Sequence, residues 1–193
     1  MDTVDFRTWC TVRVPVPTAG HHAGLIESYD DATGVATLAA AYAESAALAR
    51  LAQRMGKTAV AKFLSNLLPI TAAARSGDMG EILATAYLHE EGQWVVGPSR
   101  LIHRDHQEWA MRGDDVLGAK IDADCKALII KAEAKSRIKL DKRTVTDARD
   151  GLTRNEEMPS PHSLAQFAKR LESTPDEAVG DAIVDLQLLE GPR

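Results

Sequence analysis

Glu133 and Lys135 stand two residues apart in the run Leu128-Ile-Ile-Lys-Ala-Glu-Ala-Lys-Ser-Arg137. In an extended strand that spacing sets a carboxylate and an ammonium on one face, roughly 6 to 7 Å apart along the chain, close enough to converge on one metal-bound water or phosphate. The same alternation puts Lys131 and Arg137 with them and Leu128, Ile130, Ala132 and Ala134 on the opposite, core-facing side, with Ile129 the only apolar residue out of phase. A solvated strand face with an ordinary ion pair is the bland alternative for these two residues taken alone.

Further acids change that weighting. Hydrolysis of a phosphodiester near neutral pH requires neutralising the phosphate, generating a hydroxide-like nucleophile and stabilising the departing oxygen, which divalent ions held by carboxylates supply. Asp114 and Asp115 open the strand expected over 115–121, and Glu81 sits on the helix before it. A sheet would gather these acids beside Glu133 and Lys135. Register read from sequence does not separate Asp114 from Asp115, because a one-residue slip exchanges the faces.

Other chemistries find less support. His103-x-x-His106 points its rings to opposite sides of a strand and has no third ligand, and His21-His22 fares no better. Gly56-Lys57-Thr58 lacks the leading glycine of a phosphate loop, since Leu51 occupies that position. No Gly-x-Ser-x-Gly elbow is present to suggest acyl transfer.

The elements that must position the acids follow from periodicity. Thr11 to Pro15 alternates as a short strand and gives way to a turn region at Gly20 to Gly24. From Val35 to Leu68 the chain is alanine-rich and helical, divided near Gly56 and ended by Pro69, with stripes through Leu38, Tyr42 and Leu48 and then Val60, Phe63 and Leu64. Asp78 and Glu81 read as a capping box opening a helix to Leu88. Strands follow over Trp94 to Val96 or on to His103, over Asp115 to Ile121 and over Ala127 to Lys135, the last two joined by a hairpin-length connection. Helices are expected at 144–152, from Ser160-Pro161 and from Thr174-Pro175, with only helical signals after Arg137. A boundary near residue 70 would divide an N-terminal strand and helical region, 1–70, from a second domain, 71–193.

The chain of 193 residues, 45% hydrophobic and 26% charged, can bury a core without staples. Two cysteines, Cys10 and Cys125, make no disulfide framework and suggest a reducing cytoplasm. No run is apolar enough to span a membrane. Net charge is −5, yet Val95 to Asn155 holds 13 Lys and Arg against 10 Asp and Glu, so a polyanion would choose that segment.

Four blocks, Arg75-Ser-Gly-Asp-Met-Gly-Glu-Ile-Leu83, Arg112-Gly-Asp-Asp-Val-Leu-Gly118, Ala132-Glu-Ala-Lys-Ser-Arg137 and Ser163-Leu-Ala-Gln-Phe167, resemble the HamA family, the nuclease subunits of the bacterial Hachiman anti-phage system, within the PD-(D/E)xK superfamily. The resemblance implies an α/β, restriction-endonuclease-like mixed sheet flanked by helices, with the alanine-rich helical part N-terminal to it. It further implies a Mg²⁺-dependent DNA nuclease, with Mn²⁺ as a substitute, restrained by a HamB-like partner helicase. Asp115 and Glu133 would bind the metal, with Asp114 the rival ligand, Lys135 would position or polarise the attacking water, and Glu81 would add an outer contact. Arg112, Arg137, Lys139, Lys142 and Arg143 are candidates to line a DNA path by phosphate pairing, with a solvated basic turn the equal alternative for the last four. The competing reading is a non-catalytic scaffold subunit whose alanine-rich helices dock a larger partner or, as a homo-oligomer, a second copy.

Overall fold

The structure is a computed structural model that describes residues 5–13, 24–66, 71–97 and 113–189. Strands β1 (Cys10–Arg13) and β2 (Leu25–Ser28) pair antiparallel. The second of these has no clear signature, because its residues Leu-Ile-Glu-Ser are all exposed and do not alternate. Val14 to Pro17 and Gly20 to Ala23 lie outside the described residues.

Helix α1 (Asp31–Arg54) begins ahead of the expected Val35, because the Asp30 carboxylate accepts from Thr33 N at 3.1 Å and so caps the first turn. Gly56, at φ +71, takes the left-handed turn that separates α1 from α2 (Thr58–Asn66), as the sequence indicates. The side chains of Leu38, Tyr42, Leu48, Phe63 and Leu64, and Leu67 to Pro69 altogether, lie outside the described residues.

Helix α3 (Ala72–Glu90) corrects the capping box. The helix starts six residues before Asp78, with Thr71 as cap accepting from Ala74 N at 3.1 Å, and Asp78 is buried inside it. A polar residue followed three positions later by Glu satisfies the pattern whether or not a helix begins there. At the other end of α3, Glu91 pairs with Arg7 and Glu90 accepts from Asp5 N, which ties the N-terminal segment down.

The second sheet is antiparallel in the order β3 (Val95–Val96), β4 (Val116–Ile121), β5 (Ala127–Ala132). The extension of β3 toward His103 lies outside the described residues. The β4–β5 register runs from Val116↔Ala132 to Ile121↔Ala127, and Asp122 Oδ1 closes the hairpin by accepting from Asp124 N and Lys126 N at 2.9 and 2.8 Å. Helices α4 (Lys142–Leu152), α5 (Pro161–Leu171) and α6 (Glu177–Leu189) follow, and Ser160 caps α5 ahead of Pro161 as the sequence requires. Among the described residues no helix is long and apolar enough to cross a membrane. This mixed α/β arrangement meets the coarse fold expectation; its described sheets are two small antiparallel ones.

The core reverses the expected faces of β5. Leu117 and Ala119 of β4 bury against Leu164, Phe167, Leu171, Val179 and Ile183 of α5 and α6, with Ala127 and Ile129 packed on the same cluster. Leu128, assigned to the core by alternation, is 48% exposed. Helix α3 also packs on β4, whose alternate residues Val116 and Gly118 are buried too. With both sides of the sheet covered, apolar and charged residues no longer sort into core and solvent.

Lys131 shares the α5–α6 side and is buried with a partner. Its Nζ lies 3.0 Å from Asp114 Oδ1, with the two side chains 6% and 5% exposed, and it also donates to the carbonyls of Arg154 and Met158 at 3.2 and 3.4 Å. Those carbonyls bracket a turn in which Asn155, Glu156 and Glu157 all have positive φ. Asp114 Oδ2 accepts from Ser160 N at 2.7 Å, and Asp114 N donates to Ser163 Oγ at 3.1 Å. Burial pushes the Asp114 carboxyl upward, but the Ser160 N–H, the Lys131 ammonium and Ser163 together outweigh it and hold the group below its usual range.

Two outcomes follow. Lys131→Met leaves the Asp114 charge buried without its cation and should cost about 3 kcal/mol, read from urea unfolding at pH 7. Because the folded-state pKa of Asp114 is depressed, its contribution is complete above the unfolded value of about 4 and is lost as pH falls through the lower folded value. The stability gap between the wild type and Asp114→Asn should therefore narrow as urea titrations are repeated below pH ~4.

Candidate active site

One step beyond the last ladder pair of β4 and β5, Val116↔Ala132, stand Asp115 and Glu133. Regular strand structure ends at Ala132, three residues short of the expected end at Lys135, and just beyond it Ala134 N donates to Asp115 Oδ2 at 3.1 Å. Lys135 Nζ then folds back onto Glu133 Oε1 and lies 3.9 Å from Asp115 Oδ2. The three residues meet, just past the end of the regular strand pairing.

The pair is not a solvated ion pair. The Glu133 side chain is 5% exposed, and its carboxylate sits against Gly151 of α4, where a Cβ would overlap both oxygens. Gly151 does not have the left-handed φ that favours glycine, so its lack of a side chain serves space and not backbone freedom. Helix α4 is fixed by Asp141, whose carboxylate accepts from Thr144 N and Thr144 Oγ1 at 2.7 and 2.8 Å, bonds that hold its carboxyl below the usual range.

Helix α3 closes another side. Ser76 Oγ and Ser136 Oγ are 2.7 Å apart, and α3 passes Ala134 and Ser136 at Gly80. Glu81 is the next residue on that turn and is half-buried. Asp114 is directed instead to Lys131 and Ser160, which sets the two neighbouring aspartates apart: Asp115 faces Glu133 and Lys135, and Asp114 holds the scaffold. Among the described residues no three His, Cys, Asp or Glu side chains gather as a metal cage, so the expected meeting of three acids reduces to two carboxylates with an amine.

Arg137, Lys139, Lys142 and Arg143 follow the site on an exposed segment, while Arg112, His103 and His106 lie outside the described residues, as do His21 and His22. Gly151 is the residue that sequence reasoning missed. Its signal was a glycine inside a segment read as helix, where it costs about 0.5–1 kcal/mol relative to alanine and calls for a packing reason.

Fold and site together define a mixed α/β protein in which an Asp, a Glu and a Lys converge at the open end of a β-hairpin between two helices. The HamA family model matches residues 18–190, and the chain belongs to the HamA family. Membership implies a role in Hachiman anti-phage defence, a multicomponent system, and suggests a defence-associated nuclease. No curated protein matches the chain.

The Gly151 contact is testable without an activity. In the wild type, Gly151→Ala should lower the melting temperature by forcing Glu133 out of its recess, whereas in a Glu133→Ala background the same substitution should stabilise by about 0.5–1 kcal/mol through helix propensity. Thermal melts of the four proteins in this cycle read the sign change.

Proposed function

We propose that this chain is a metal-dependent deoxyribonuclease acting in the cytoplasm for phage defence. The observation that carries the reading is the convergence of Asp115, Glu133 and Lys135 in a chain of the HamA family. Asp115 and Glu133 offer the hard oxygen donors that Mg²⁺ takes, and two carboxylates suffice for an ion that keeps several waters and shares substrate phosphate oxygens. Mn²⁺ suits the same donors. When bound, the ion supplies Lewis acidity and lowers the pKa of a water.

The protein's own groups do the rest. Lys135, now paired with both carboxylates, orients the attacking water and offsets the charge of the phosphate. Gly151 and Ala134 N keep Glu133 and Asp115 aimed at a common point, and Glu81 contributes from α3 as an outer contact. Arg137, Lys139, Lys142 and Arg143 line the approach of the phosphate backbone, a sequence-independent mode of binding. A HamB-like helicase restrains cleavage until DNA engages the complex, a reading supported by membership of a multicomponent system.

Supercoiled-plasmid nicking with Mg²⁺, with and without chelator and partner helicase, tests the proposal. Glu133→Gln with Lys135→Met removes both charges of the buried pair, so the fold should melt near the wild-type temperature while nicking falls by about a hundredfold or more. Mg²⁺-dependent nicking by that variant at the wild-type rate would rule the assignment out.

A further inference from the structure

The segment between Lys135 and α4 carries two features that the hydrolytic site leaves unused. Ile138 is 103% exposed and Leu140 81%, the highest values among the large apolar side chains of the described residues. They alternate with Arg137 and Lys139, and from Lys135 to Arg143 the chain has five basic residues and one acid, within a protein of net charge −5. That acid, Asp141, is engaged in capping α4.

The tip is also held at both ends. Ser136 is joined to Ser76 of α3 at 2.7 Å, and Asp141 is fixed by Thr144 N at 2.7 Å, which leaves residues 137–140 as a short span between two anchors beside Lys135. Isolated exposed aliphatic residues need no explanation, but two at alternate positions on a pinned, cationic span do. Protein interface cores are depleted in lysine, whereas architectural nucleic-acid binders combine phosphate-pairing cations with aliphatic side chains pushed between base steps.

We infer that Ile138 and Leu140 form an apolar wedge that inserts between nucleic-acid bases next to the candidate active site, while Arg137, Lys139, Lys142 and Arg143 hold the flanking phosphates. The inference rests on the deoxyribonuclease reading and adds how the substrate is engaged: unstacking one step beside the hydrolytic centre exposes the backbone there to Asp115, Glu133 and Lys135. Because the tip is anchored before binding, little ordering cost opposes insertion.

The test uses the full chain in chelator, so that cleavage does not interfere, and short duplexes carrying 2-aminopurine at successive positions. Binding should raise 2-aminopurine fluorescence at one or two adjacent steps. Ile138→Ser with Leu140→Ser should abolish that rise and weaken binding roughly tenfold, with the salt dependence and melting temperature unchanged. Lys139→Ala with Lys142→Ala should instead lower the slope of log affinity against log salt by about one per lysine. An unchanged fluorescence response in the serine variant overturns the wedge, as does a lowered melting temperature, which would mean the two side chains pack within the fold. Serine substitutions that impair helicase binding and leave DNA binding intact assign the tip to protein, and the inference falls. Plasmid nicking scored separately with Mg²⁺ keeps the two readings apart: nicking without base unstacking removes the wedge alone, and unstacking without nicking supports the wedge while removing the nuclease.

Discussion

The carboxylate of Asp114 is the constraint on which the C-terminal half depends. It joins the start of β4 to β5 through Lys131 and to the N-terminus of α5 through Ser160 N, so one side chain ties the hairpin to a helix distant in sequence. A buried ion pair gains little over a well-packed apolar pair, and its value here lies in geometry. The next residue is Asp115, and with Asp114 immobilised the direction of Asp115 toward Glu133 and Lys135 is set by the backbone between them.

Two adjacent aspartates thus take separate sets of partners, and sequence alone does not assign them. Their identities are equal and their order depends on which way the chain turns before β4. The difference comes from partners contributed by residues 131, 133, 135 and 160, whose proximity is a property of the folded sheet and of α5.

Where local chemistry decides an element, the sequence was legible: Gly56 divides α1 from α2, Ser160 and Pro161 open α5, and the β4–β5 hairpin falls near the expected positions. Legibility failed where tertiary packing decides. The Asp78 pattern resembled a cap only because a buried helical aspartate and a capping one look alike in sequence. Alternation in β5 misjudged Leu128 and Ile129 because the sheet is covered on both sides. Asp115, Glu133 and Lys135 were singled out as neighbours, and the structure differs only in that regular strand pairing stops at Ala132, short of Glu133 and Lys135. The recess at Gly151 involves residues far apart in sequence and carried no local sign beyond a glycine within a helix.

The turn at Asn155, Glu156 and Glu157 has a consequence for modularity. Three successive L-residues in left-handed conformation disfavour the turn locally by roughly 1–2 kcal/mol each, and none of them is the glycine that would relieve it. Lys131 bridges the carbonyls at its two ends from inside the sheet. The turn is therefore a product of the finished fold and not a portable loop: transplanted to another scaffold without that lysine, the same residues would relax to a different shape.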